Sequence, residues 1–207
     1  MIPVDALIQA RTTSTRLPGK VLMELGGKTV VQHIIDAALK AFSIRDVWVV
    51  IPTHDITLAK HILDTRPEVK IFAGEENDVL DRYYQCAKEN KINHICRLTA
   101  DCPAMTPEII DEVVGAYIQN PCDYCSNIIR RTYPDGWDCE VFPFETLEEA
   151  WRNGAGQDRE HVTTYMREPI GIKTHSVELP YNLSDIKLSL DTVDDLKRLR
   201  KYFEGAK

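Results

Sequence analysis

Three cations fall within ten residues near the beginning of the chain: Arg11, Arg16 and Lys20 in LIQARTTSTRLPGK, residues 7–20. An arginine can give a phosphate two parallel hydrogen bonds, and a lysine serves as a compact point charge. Ser14 and the neighbouring threonines add small hydroxyl donors. Pro18-Gly19 sets a tight turn in which glycine takes a positive φ freely and lets the backbone come close to a ligand. Amides, hydroxyls and fixed cations together make a cradle for phosphate. It is neither of the two commonest phosphate loops. A Walker A loop needs glycine five residues before the Gly-Lys pair and Ser or Thr after the lysine, where this chain has Ser14 and Val21. No GxGxxG dinucleotide fingerprint is present.

The cluster goes against the average of the chain, whose 207 residues carry a net charge of −7. That balance argues against broad electrostatic binding to nucleic acid or to an anionic membrane. A content of 43% hydrophobic and 28% charged residues is that of an ordinary globular protein, and the length suits one domain. No apolar run is long enough to span a bilayer, and MIPVDALIQA lacks the features of a signal peptide. The chain therefore reads as cytoplasmic, with its six cysteines reduced. Cys122 and Cys125 have CxxC spacing, but no second pair completes a zinc site, so they read as plain thiols.

The elements that must hold the cradle alternate between strand and helix. Ala6–Ala10 reads as a first strand, Val30–Phe42 as an amphipathic helix and Val47–Ile51 as a strand buried on both faces. Ile56–Leu63 is helical up to Pro67, Lys70–Ala73 extended, and Asp78–Glu89 a helix capped by Asp78. His94–Leu98 is a strand, and Thr106-Pro107 opens a helix to Ile118. This rhythm predicts an α/β fold with a mostly parallel sheet covered on both faces, whose ligand edge is the carboxyl end of the strands. The loop at 11–20 and the loop Thr99–Met105 both open there. Beyond residue 120 the rhythm breaks. We expect a strand at Cys139–Phe142, helices at Phe144–Arg152 and Asp158–Glu168, strands at Lys173–Leu179 and Lys187–Leu190, and a last helix from Val193. Residues 120–180 read as an insertion around the ligand edge of a single domain.

The segment QARTTSTRLPGKVLMELGGKTVVQH resembles the N-terminal signature of the cytidylyltransferases that activate sugar acids, the CMP-Kdo and CMP-acylneuraminate synthetases. It is more similar still to their SpsF-like branch. The resemblance continues in order through AGEENDVLDRYYQCA, RLTADCPAMTPEIIDEVV, TYPDGWDCEVF, DREHVTTY and LSLDTVDDL. It implies a three-layer, Rossmann-like fold of the glycosyltransferase-A type, and a nucleotidyltransferase that uses CTP and Mg²⁺. Ala10, Arg11, Ser14, Arg16, Gly19 and Lys20 would line the triphosphate site, with Arg11, Arg16 and Lys20 stabilising the charge that develops on transfer. Asp101, in LTADCP, would hold the metal, and Asp191, in SLDTVDDL, is the second candidate. As alternatives, Asp101 makes a turn and Asp191 caps the final helix. Gly74, Asp78 and Arg82 would serve the base, Asp78 being equally an ordinary cap.

The acceptor is less well defined. Arg130, Arg131, Asp138 and Glu140 are candidates to bind it, and His161, one turn from Asp158, is a candidate to take the proton from its hydroxyl. The resemblance implies an acidic sugar, a role in surface polysaccharide synthesis, and a homodimer with residues 120–150 at the contact. Ala100, Trp137 and Cys139 depart from the family pattern. Two further functions share these residues: a related enzyme acting on a nucleotide sugar or a small phosphorylated acid, and a catalytically silent nucleotide-binding partner protein.

Overall fold

The first strand, β1 (Val4–Gln9), has the sequence VDALIQ and is buried on both faces. Alternation along a strand sends Val4, Ala6 and Ile8 into one apolar core and Leu7 into another. The computed structural model describes residues 2–167 and 171–205, and in it β1 lies at the middle of a seven-stranded sheet. The strand order is β5 (Lys70–Gly74), β4 (Ile44–Pro52), β1, β6 (His94–Thr99), β8 (Glu140–Pro143), β7 (Tyr124–Ser126) and β9 (Thr174–Ser176). The four from β5 to β6 are parallel, as the alternating rhythm requires. β8 runs antiparallel to β6 and to β7, and β9 is parallel to β7, so the chain beyond residue 120 extends the same sheet with β8 as its one reversed strand.

Helices α1 (Val30–Lys40), α2 (Ile56–Thr65) and α4 (Pro107–Gln119) cover one face of the sheet. Helices α3 (Val79–Glu89) and α5 (Phe144–Asn153), with Val162 and Met166 of the segment carrying the short α6 (Gln157–His161) and α7 (Thr164–Arg167), cover the other. Each main helix begins where its sequence places a cap or an apolar stripe. Asp78 accepts from the Asp81 amide at 2.8 Å, and Thr29 and Gln32 form a reciprocal capping box on α1. A third cluster joins the hairpin β2 (Glu24–Leu25) and β3 (Lys28–Thr29) to α8 (Val193–Gly205) through Leu25, Leu196 and Leu199.

Four expectations need correction. β1 begins and ends earlier than Ala6–Ala10, which leaves Ala10 as the first residue of the ligand loop. The helix expected over 158–168 is broken at Val162, whose φ is +63°. The break lets Val162 enter the core beneath α3 while Thr163 turns its hydroxyl inward to Glu140 at 2.8 Å; Glu168 lies outside the described residues. The segment 187–190 forms only a bridge, Lys187 against Asp135, instead of a strand, and the strand expected over 173–179 shortens to β9.

That bridge depends on Gly136. Its φ is +106°, and a Cβ there would lie 2.5 Å from the backbone of Leu188 and Ser189. Backbone atoms cannot step aside as a flexible side chain can. We expect Gly136→Ala to lower stability by roughly 2 kcal/mol or more, with a depressed urea midpoint as the measured sign.

Candidate active site

The loop after β1 is closed by its own backbone. Gly19 takes the left-handed conformation, φ +71°, and its amide donates to the Thr12 carbonyl at 2.8 Å. No atom lies within 4 Å of where its Cβ would stand, so conformation alone requires glycine here. Asp55, buried at the start of α2, accepts from the Thr12 amide at 2.8 Å and from its hydroxyl at 3.0 Å. Sequence reading missed this acid, because an Asp just before a helix reads as a cap. Here its carboxylate anchors the phosphate loop instead.

The turn at Gly19 aims Lys20 inward, and its side chain is almost wholly buried. Its ammonium donates to Asp101 Oδ2 at 2.7 Å, to the Leu190 carbonyl at 2.7 Å and to Asp191 Oδ1 at 3.1 Å. Two carboxylates from distant parts of the chain therefore converge on one cation. Asp191 is brought there by the Leu190 amide, which donates to the Asp101 carbonyl at 2.8 Å. Asp191 does not cap α8. Thr192 and Asp195 do so reciprocally, through Asp195 N to Thr192 Oγ1 at 3.2 Å and Thr192 N to Asp195 Oδ2 at 2.9 Å. The Asp191 side chain is thus left for Lys20 and for Arg16, at 2.8 Å. Burial works against the Asp101 carboxylate, but the charge and hydrogen bond of Lys20 outweigh it and hold the carboxyl below its ordinary value.

Both carboxylates offer hard oxygen donors at a common point, which suits a divalent ion of the magnesium type. No cluster of three His, Cys, Asp or Glu occurs among the described residues. An ion here would rely on phosphate oxygens and water for most of its shell, as magnesium commonly does.

Across the cleft stands Arg82, with only 1% of its surface exposed. Its Nη1 donates to the carbonyls of Glu75 and Glu76 at 2.5 and 2.9 Å, while Nε has no partner. The same cleft is lined by Gln9, Ala10, Arg11, Ser14, Arg16, Lys20, Asp101, Glu160, His161 and Asp191. The phosphate loop, both acids and His161 thus share one space. Arg11 is paired across it with Glu160 at 3.2 Å. Gly74 and Asp78 do not line it. A Cβ on Gly74 would meet the Arg82 stem at 2.9 Å, so that glycine makes room for Arg82. Asp78, besides capping α3, accepts from Arg159 Nε at 2.8 Å. His161 reaches the cleft without Asp158, whose carboxylate is taken by Thr164 and the Ala155 amide.

The four residues expected to bind an acceptor lie outside the cleft. Arg130 is paired with Glu178 at 2.7 Å on the surface. Arg131 and Asp138 saturate each other at 2.7 and 2.8 Å. Glu140 is 1% exposed and is held by Arg97, by Arg167 at 2.7 Å, by Tyr124 at 2.6 Å and by Thr163 at 2.8 Å. The departure at Cys139 is equally internal, its sulfur 3.5 Å from that of Cys96. Trp137 donates to the Ala104 carbonyl at 2.7 Å and so braces the loop that follows Asp101.

What such a cleft can hold is a polyphosphate, and what its two acids can add is a divalent ion beside it, the equipment of an enzyme that acts on a nucleoside phosphate. A family model described as Cytidylyltransferase matches residues 6–199. The spore coat polysaccharide biosynthesis protein SpsF of Bacillus subtilis is 32% identical over 211 residues, 97% of this chain and 86% of that protein. A 3-deoxy-manno-octulosonate cytidylyltransferase of Geobacter sulfurreducens is 30% identical over 118 residues, 57% of this chain and 46% of that one. The structure of a cytidylyltransferase from Leptospira borgpetersenii superposes with a TM-score of 0.92 at 29% identity, covering 99% of this chain and 88% of that chain. The chain belongs to the cytidylyltransferase family, in its SpsF-like branch, and is a CTP-dependent nucleotidyltransferase.

Glu140 makes the site's support sensitive to acid. Burial raises its pKa, but the two arginines and the hydroxyl donors win and bring it from 4.5 to about 2. Its contribution to stability is complete above the ordinary value and is lost as pH falls toward the depressed one. We expect the urea midpoint to drop between about pH 5 and pH 2. Glu140→Gln should cost roughly 3–5 kcal/mol at neutral pH and flatten that acid slope.

Proposed function

We propose that the enzyme transfers CMP from CTP to a hydroxyl of an acidic sugar, of the nonulosonate or 3-deoxy-octulosonate type, in the building of a surface polysaccharide. The observation that carries the reading is the convergence of Asp101 and Asp191 on Lys20, in the same cleft as Arg11, Arg16 and Arg82. The sugar acid is supported by the sequence signature and by the octulosonate relative; the polysaccharide is supported by the SpsF relative.

The acceptor oxygen attacks the α-phosphorus, its bond to the β-phosphate bridge breaks, and pyrophosphate leaves. Arg11, Arg16 and Lys20 hold the triphosphate oxygens and stabilise the charge moved onto the leaving group. Each is held by a carboxylate in the structure, Arg11 by Glu160, Arg16 by Asp191 and Lys20 by both aspartates. A phosphate therefore replaces an anion already in place, and the cations need little rearrangement. Arg82 and the loop it supports receive the base. His161, on the cleft wall, accepts the proton of the acceptor hydroxyl. Asp101 and Asp191 would hold Mg²⁺, which supplies charge neutralisation on the phosphates when bound.

Pyrophosphate release from CTP, measured with a panel of sugar acids and against each other nucleotide, tests the reading. We expect Arg16→Ala to weaken CTP binding about tenfold, the loss of one charged hydrogen bond. Asp101→Asn should leave CTP binding largely intact and lower kcat about a hundredfold or more. Normal binding and turnover in both variants would place the site elsewhere.

A further inference from the structure

Gln9 is the last residue of β1, and its register partner on β6 is Thr99. The phosphate loop begins one residue after Gln9, and Asp101 stands two residues after Thr99. Gln9 thus lines the cleft between the loop and the acids, both of which the reacting phosphorus has to touch.

The Gln9 amide has only one way to face. Its Oε1 accepts from Arg97 Nη2 at 2.9 Å, and a guanidinium can only donate. Arg97 is itself buried and fixed by Glu140, which is held in turn by Tyr124, Thr163 and Arg167. The amide oxygen is thereby committed to the protein. Among the described residues nothing accepts from Gln9 Nε2, and that nitrogen is not among the buried polar atoms that lack a partner. Gln9 lines the cleft, and its Nε2 is not sealed off from solvent.

We infer that Gln9 is a specificity-determining residue for the acceptor, donating from Nε2 to an oxygen of the sugar acid while the Arg97–Glu140 pair keeps the amide from turning over. The inference rests on the function proposed above. It also gives the buried Glu140 a part in the site, which it reaches through Arg97 and Gln9. A neutral donor suits this position. The triphosphate already has fixed cations around it, whereas a sugar acid presents hydroxyl and carboxylate oxygens that one N–H pair can sort by position.

Gln9→Glu keeps an oxygen for Arg97 and replaces the donor with a second acceptor. Gln9→Met removes both at similar size. KM for 3-deoxy-manno-octulosonate and N-acetylneuraminate, Kd for CTP and the thermal midpoint are measured for wild type and both variants. We expect the acceptor KM to rise about tenfold in Gln9→Met and further in Gln9→Glu, with CTP Kd within about twofold of wild type. Unchanged acceptor KM in the folded variants overturns the role of Gln9, and so does a loss of CTP affinity that accounts for the whole effect. A wild-type enzyme that binds CTP yet releases pyrophosphate with none of the acids overturns the proposed function, and the role of Gln9 with it.

Discussion

One ammonium group organises this active site. Lys20 sits between two carboxylates that would otherwise repel each other in a partly desolvated cleft, at about 4 kcal/mol for unit charges 4 Å apart near a protein surface. The lysine owes its position to a left-handed glycine and to the short 3-10 turn at Lys20–Leu22. The carboxylates owe theirs to a loop after β6 and to a segment just before the last helix, tied by the Leu190 amide to the Asp101 carbonyl. Three stretches of chain with no local relation are joined at a single point. That point faces the loop where β1 delivers its arginines.

The framework around it could be read from the sequence wherever the signal was local. VWVVI announces a strand buried on both faces, Thr106-Pro107 a helix start, and Pro18-Gly19 a turn, because each rests on neighbours a few residues apart. The meeting of the cation loop with Asp101 and Asp191 could be anticipated for a related reason: each follows a strand or extended segment at the carboxyl edge, where topology places ligands. Asp55, Glu160 and Gln9 gave no comparable signal, since what defines them is a partner 43, 149 or 88 residues away. The acceptor residues failed for the same cause. Alternation puts Asp138 and Glu140 on one face but does not say that Arg131 will saturate the first and that two arginines will bury the second.

Glu140 shows how polar groups inside a sheet can serve a surface site without reaching it. A carboxylate at 1% exposure is tolerable only with its lone pairs filled, and here four side chains fill them. Those partners come from β6, β7, the turn at Val162-Thr163 and α7, so the network fixes the antiparallel strand β8 between β6 and β7. The broken helix serves the same network: at the break Val162 is buried in the core and Thr163 turns its hydroxyl to Glu140.

The place of Asp191 in the chain has a consequence for biosynthesis. The phosphate loop is synthesised before the segment that completes it, and its lysine awaits an acid 171 positions later. Until the 187–191 segment has been laid against Asp135 and Asp101, the nascent sheet holds a basic loop facing one carboxylate instead of two. The two carboxylates therefore meet on Lys20 only after every strand of the central sheet has been synthesised.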